Sequence, residues 1–201
     1  MMEKKMREEA KKSGVHLIEK TQKITLEPIE TKGFILDLGG GGEGIIGKLN
    51  GNQVISIDNK IEELEEITTD SLKIVMDACD LKFLSSSFDN VTSFFTPMYI
   101  KDHDLPKIFS EAFRVLKEEG RFLIWDLRIP KRLGDDPFFG VILRITLPDE
   151  EVNTGYGIKW EGKEQDIRYF KTLASQAGFI ALNERVDEEI FFLKLIAKKQ
   201  K

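Results

Sequence analysis

One cysteine and two histidines are spread over the 201 residues of this chain. Cys79 has no second cysteine to pair with, so no intramolecular disulfide can form and nothing points to an oxidising compartment. With only His16 and His103, and no Cys/His cluster, no metal site is expected. Long apolar runs are missing too. No stretch approaches ~18 uninterrupted apolar residues, so no membrane span is expected. The opening MMEKKMREEAKK is charged throughout and lacks the apolar core of a secretory signal. The expected location is the cytoplasm. An excess of positive charge is also lacking: 30 Lys and Arg face 35 Asp and Glu, for a net charge of −5. A domain that wraps nucleic acid usually shows a basic face, so nucleic acid is disfavoured as a partner. Repeats and low-complexity segments are absent.

What remains is an ordinary globular composition, 41% hydrophobic and 32% charged, in a length that suits one domain with a small lid. Residues 2–12 read as a charged helix that stops near Ser13-Gly14, and 15–32 show no clear period. Residues 1–32 are therefore expected to form an N-terminal helical extension to a domain over 33–201. From Gly33 an alternation begins. GFILDL, QVISID, LKIVMD and FDNVTSFF read as strands, with a short helical turn at IIGKL and a helix at NKIEELEEI. In the helix DHDLPKIFSEAFRVLKEEG, Leu105, Ile108, Phe109, Ala112 and Leu116 share one face, Asp104 is placed as N-cap and Gly120 as C-cap. RFLIWDL is a fifth strand. KEQDIRYFKTLASQAG is a further helix, and FIALNERV and EIFFLKLIAKK are two closing strands joined by a tight acidic turn. The alternation implies an α/β, doubly wound, Rossmann-like sheet of seven strands covered on both faces. The closing turn is too short for a parallel crossover, so one antiparallel strand is expected near the C-terminal edge.

The run ILDLGGGGEG, residues 35–44, places four consecutive glycines between the first of these strands and a helical turn. Glycines there let the backbone turn sharply and let a ligand approach the main chain. Gly39-x-Gly41-x-x-Gly44 matches the dinucleotide pattern G-x-G-x-x-G, although a tight turn that binds nothing has the same look. Asp58 ends the second strand, 21 residues after Asp37. An acid at about that distance can accept the hydrogen bonds of a ribose diol, or can cap the helix that follows. Asp37 sits inside a strand, where an unpaired carboxylate is costly and a partner is required. A ligand amino group would supply one.

Together these segments resemble the class I S-adenosylmethionine-dependent methyltransferases. ILDLGGGGEG is similar to their first motif, an acid followed by a glycine loop, and VISID to their second. VMDACDLKFLSSSFDNVTSFF resembles the third and fourth, and EAFRVLKEEGRFLIWDL the helix and strand that come next. The likeness covers about residues 33–198, and its nearest flavour is the small-molecule methyltransferases of ubiquinone and menaquinone biosynthesis. The resemblance implies S-adenosylmethionine as cofactor, with Asp37, Gly39, Gly40 and Gly41 at its methionine end and Asp58 and Asn59 at the ribose. It also implies Asp77, Ala78 and Cys79 at the adenine, and Phe95 and Thr96 lining the pocket. Two positions depart from the pattern. Glu43 stands where the family has its third glycine, and it either crowds the methionine carboxylate or points away. Asn59 stands where an apolar residue usually packs on adenine.

Methyl transfer from a sulfonium needs orientation and a dry pocket more than a catalytic base, and no catalytic residue is assigned. TPMY, Thr96–Tyr99, partly matches the signature found in amino-group methyltransferases, and a proline turn closing the strand accounts for it equally. Tyr99 is a candidate to face the substrate, and His103 is either a base or a solvated residue. Asp126 reaches the cleft or pairs with Arg128. Cys79 reads as a small buried filler. Residues 129–161 form the least family-like part. GVILRITL and GYGIKW alternate like a β-hairpin, which would fold over the cleft as a lid, make a dimer contact or form a surface ribbon. Phe138, Phe139, Tyr156 and Trp160 suit an apolar or aromatic small-molecule acceptor if they face the site. Two rival functions stand beside methyl transfer: a nicotinamide-dependent oxidoreductase, and a methyltransferase fold kept only for binding. Acceptor and oligomeric state are not readable from the sequence.

Overall fold

The computed structural model describes residues 2–132 and 134–199. The chain opens with helix α1 (Met2–Lys12), followed by strands β1 (Val15–Leu17) and β2 (Gln22–Thr25). Strand β3 (Ile35–Leu38) leads through the glycines into the short helix α2 (Ile45–Asn50). Then come β4 (Val54–Asp58), α3 (Ile61–Glu65), β5 (Leu72–Val75), β6 (Phe88–Phe94), α4 (Leu105–Val115) and β7 (Leu116–Leu127). The chain closes with β8 (Phe138–Thr146), β9 (Glu151–Lys159), α5 (Ile167–Ala177), β10 (Phe179–Asp187) and β11 (Ile190–Ala197).

Seven strands make a Rossmann-like, mostly parallel sheet in the order β10-β11-β7-β6-β3-β4-β5. The strands from β5 to β7 run parallel, whereas β11 pairs antiparallel with both β7 and β10. The reversed strand thus lies one place in from the edge, as the tight turn before it requires. Strand order reverses beside β3, between β4 on one side and β6 on the other, which is where a parallel α/β sheet opens a crevice at its carboxyl ends.

Alternate side chains feed two cores. Leu36, Leu38, Ile57, Val91, Phe122 and Ile124 point to one face and pack against Ile108, Phe109 and Ala112 of α4 and Phe170 and Leu173 of α5. Ile35, Val54, Phe94, Leu123 and Trp125 point to the other. A sheet wound by helices on both faces was the expectation; the second face instead carries the six-residue α2 and a second sheet of four strands. In that sheet β8 pairs antiparallel with β9, and parallel with β1 and β2 in succession along its other edge. Val141, Leu143, Ile145 and Leu147 of the hairpin are all buried, as their alternation implies. The segment 1–32, expected as a helical extension, is helical over α1 and then contributes two strands to β8.

Three local expectations are corrected. Helix α4 stops at Val115, not at Gly120: Leu116 is already extended, Gly120 lies within β7, and Glu119 takes the left-handed turn at φ 60°. Asp104 precedes α4 but makes no capping hydrogen bond, because its carboxylate is drawn to Lys107 at 2.9 Å. Helix α3 spans only Ile61–Glu65, and Ile61 is exposed. The closing helix follows the rules: Asp166 accepts the Tyr169 N–H at its start, and Gly178 ends it at φ 97°. No helix among the described residues is long and apolar enough to cross a membrane.

Candidate functional site

The glycine loop is shaped by what surrounds it. Gly39 takes φ 66°, and a Cβ there would run into the Thr96 side chain; a Cβ on Gly41 would sit 2.5 Å from the Glu63 Cβ. The Gly40 N–H donates to Ile57 O and the Gly42 N–H to Glu63 O, so the loop is tied to β4 and α3. No side chain fits at Gly39, Gly40 or Gly41, and the loop borders open space.

That space is a cavity of about 520 Å³ at the carboxyl ends of the parallel strands, within the usual range for a small-molecule site. Gly39, Gly41, Gly42 and Glu43 form one wall. Asp58, Asn59, Lys60, Glu63, Met76, Asp77 and Ala78 form a second, and Phe94, Phe95, Thr96, Tyr99 and Tyr156 a third. The structure therefore brings together ten of the residues singled out in the sequence: Gly39, Gly41, Asp58, Asn59, Asp77, Ala78, Phe95, Thr96, Tyr99 and Tyr156. Asp58 accepts the Lys60 N–H on one carboxylate oxygen, and Asp77 accepts the Cys79 N–H on one of its own. Both residues line the cavity, and among the described residues the second oxygen of each carboxylate accepts no hydrogen bond. Thr96 donates to Leu38 O at 3.0 Å and to Gly39 O at 3.2 Å, locking the end of β6 to the glycine loop. Phe95, buried, holds φ 53°, a conformation that a bulky residue adopts only under constraint, and such strain concentrates at functional sites.

Other expected site residues lie elsewhere. Asp37 is 2% exposed and does not line the cavity. Its required partner is a protein group: the Thr92 hydroxyl donates to it at 2.7 Å. Burial pushes the Asp37 carboxyl up to about 7, against the pull of that hydroxyl, and the nearby Asp58 adds to the rise. It supports the loop from below, since a Cβ on Gly40 would touch its carboxylate at 2.5 Å. Gly40 and Cys79 are also outside the lining. The Cys79 thiol is pushed up to about 11 by burial and by Asp77 and Asp104, which leaves it a poor nucleophile. His103 is exposed, 3.4 Å from Asp104, and away from the cavity. Trp160 is a core residue that donates its indole N–H to Pro130 O and packs against His16 and Phe139. Phe139 joins that stack and leaves the site as well. Asp126 neither opens to the cleft nor pairs with Arg128, whose partner is Glu189. It is wholly buried and accepts from the Met98 N–H, the Leu127 N–H and the Gln165 amide.

Two features escaped the sequence. Glu43 points neither into the glycine loop nor to solvent. It accepts hydrogen bonds from the hydroxyls of Thr154 and Tyr156 on β9, the second at 2.9 Å. The Tyr156 ring then lies against Phe95, centroids 5.3 Å apart. The hairpin is thus a wall of the cavity, clasped to the glycine loop. The second is Lys163, just after β9, which donates to Ile100 O at 2.6 Å and to Asp102 at 3.1 Å, and reaches Pro97 O at 3.4 Å. It pins the segment that carries Tyr99. Neither partner is within a hundred residues of Glu43 or within sixty of Lys163, so no local signal announces them.

Residues 36–124 match the family model described as "Methyltransferase domain". Several solved structures share the fold. An S-adenosylmethionine-dependent methyltransferase of Methanosarcina mazei superposes with a TM-score of 0.63 at 17% identity, over 86% of this chain and 95% of that one. Phosphoethanolamine N-methyltransferase 2 of Haemonchus contortus, in complex with S-adenosyl-L-methionine, gives 0.60 at 16%, over 86% and 50%. A Haloferax volcanii methyltransferase in complex with the activator Trm112 gives 0.60 at 15%, over 87% and 86%. No curated protein matches the sequence.

Proposed function

We propose that this chain, whose residues 36–124 match a methyltransferase domain and whose fold is shared by S-adenosylmethionine-dependent methyltransferases, is itself a class I enzyme of that kind and methylates a small-molecule acceptor by in-line displacement. The observation that carries the reading is the convergence of the bare glycine loop, Asp58, Asp77 and Phe95 on one cavity at the carboxyl ends of the strands. The residues fit the cofactor chemically. A ribose diol and an adenine amino group are both donors, and each would meet a carboxylate with a free oxygen, Asp58 and Asp77 respectively. Gly39, Gly41 and Gly42 would offer their backbone to the methionine end, with Asp37 and Gly40 beneath them as support. When bound, the cofactor supplies a methyl group on a sulfonium, already electrophilic.

The chain's own part is to position the acceptor and exclude water. The hairpin wall and Phe95 cover the cavity from the side of β6. Tyr99 and Tyr156 have phenols raised by burial, the first up to about 12 and the second well above its ordinary value. Both therefore stay protonated at neutral pH and orient groups without acting as bases. A cavity of about 520 Å³ supports a small acceptor over a macromolecular one.

The test is calorimetric titration of the wild type and Asp58→Ala with S-adenosylhomocysteine, NADH and NADPH. The expected result is binding of S-adenosylhomocysteine alone, weakened at least tenfold in the variant. Binding of a nicotinamide cofactor instead overturns the reading. Binding of S-adenosylhomocysteine with no methyl transfer to any acceptor leaves a fold kept for binding only.

A further inference from the structure

The acceptor side of the cavity has a definite chemistry. Four aromatic rings, Phe94, Phe95, Tyr99 and Tyr156, line it, and the Glu43 carboxylate is bonded to the Tyr156 hydroxyl of that wall. Tyr99 is 52% exposed, so its ring is free to meet a ligand. Two hydroxyl donors orient the Glu43 carboxylate without neutralising it. Five carboxylates line the cavity as a whole, Glu43, Asp58, Glu63, Glu66 and Asp77, against the single Lys60, which is drawn to Glu63 at 3.6 Å. Ribose and adenine would account for Asp58 and Asp77; they leave Glu43, Glu63 and Glu66, of which Glu43 is the one bonded to the aromatic wall through Tyr156.

Aromatic faces attract a cation through their quadrupoles, and a fixed carboxylate adds a full opposite charge. An anionic acceptor, a phosphate or a carboxylate, would meet repulsion from every side of such a cavity. We propose that the acceptor atom is an amine nitrogen, held as a cation or developing cation between Phe95, Tyr99, Tyr156 and Glu43. This rests on reading the cavity as the cofactor and acceptor site. An amine bound as its ammonium first gives one N–H proton to water at the open side near Tyr99; the freed nitrogen lone pair then forms the new N–C bond as the C–S bond breaks, and the electron pair of that bond stays on sulfur. The positive charge passes from sulfur to nitrogen and remains facing the same rings and carboxylate. The wall thus favours the charge distribution that the reaction creates.

The experiment compares choline with its neutral isostere 3,3-dimethylbutan-1-ol, titrated into the full-length protein saturated with S-adenosylhomocysteine. Choline is expected to bind at least tenfold more tightly. Glu43→Gln and Tyr99→Leu are each expected to weaken choline about tenfold while changing the dissociation constant of S-adenosylhomocysteine less than threefold. Equal affinity for the two isosteres, or no binding of choline to the saturated protein, overturns the proposal and leaves the methyltransferase reading standing. Loss of S-adenosylhomocysteine in Glu43→Gln assigns the carboxylate to the cofactor and likewise overturns it. Failure of the wild type to bind S-adenosylhomocysteine removes the underlying reading and this proposal together.

Discussion

The Met98 N–H donates to the buried carboxylate of Asp126 at 3.1 Å, so a strand residue in β7 holds the turn that presents Tyr99 to the cavity. The same carboxylate gathers the Gln165 amide from the segment after the hairpin. Asp126 therefore joins three parts of the chain that meet only in the fold.

Burial pushes the Asp126 carboxyl up to about 7, partly offset by its amide donors. An unfolded carboxyl titrates near ~4. Between those values the native state holds a proton that the unfolded chain has released, so this group's contribution to stability is greatest at low pH and falls as pH rises. Asn at 126 removes that dependence. The stability difference between wild type and Asp126→Asn should move against the wild type by about 2–3 kcal/mol from pH 5 to pH 8. Urea unfolding at the two pH values measures it, and a constant difference would show that Asp126 does not titrate in this range.

Gly39→Ala introduces a Cβ at φ 66° and against Thr96. It should cost roughly 2–4 kcal/mol of stability and abolish binding of S-adenosylhomocysteine. Gly51→Ala is the comparison: φ is 53° there, but nothing lies within 4 Å of the added Cβ. That change should cost about 1 kcal/mol and leave binding intact. Equal loss of binding in both would remove the close-approach role given to the loop.

Lys163→Met deletes the ammonium that reaches Pro97 O, Ile100 O and Asp102. We expect a loss of about 1–3 kcal/mol and faster amide hydrogen exchange confined to residues 97–102. Unchanged exchange in that segment would mean that Asp126 alone holds it.

Trp160→Phe keeps an aromatic ring beside His16 and Phe139 but leaves Pro130 O without its donor. A loss of about 1–2 kcal/mol is expected, with no change in S-adenosylhomocysteine affinity. A selective loss of affinity would restore Trp160 to the site.

What the sequence made readable is what local rules write. The glycine turn, Asp58 at a strand end, and the alternation of Val141, Leu143, Ile145 and Leu147 all follow from backbone sterics and burial over a few residues. Strands β1 and β2 escaped because three or four residues carry no period of their own, and β8, more than a hundred residues later, supplies their pairing. Gly120 misled for a related reason. It sits where a helix would end, but the pairing of β6 with β7 draws the chain into strand five residues earlier. Asp126 and Glu43 were visible as acids in unusual places, yet their partners are set by tertiary packing alone. Trp160 and His103 were chosen for their chemistry, and only their neighbours reveal that one is core and the other solvated.

The pairing of β1 and β2 with β8 also bears on the order in which the molecule is made. The two short strands are synthesised more than a hundred residues before β8 and have no strand partner until it emerges, so this sheet closes through long-range pairing. A shortened version that began at the glycine strand would free one long edge of β8, with its row of unpaired amides and carbonyls beside Val141, Leu143 and Ile145. Such an edge recruits other chains. Strands β1 and β2, remote from the chemistry, thus cover an edge of β8 that would otherwise be open to other chains.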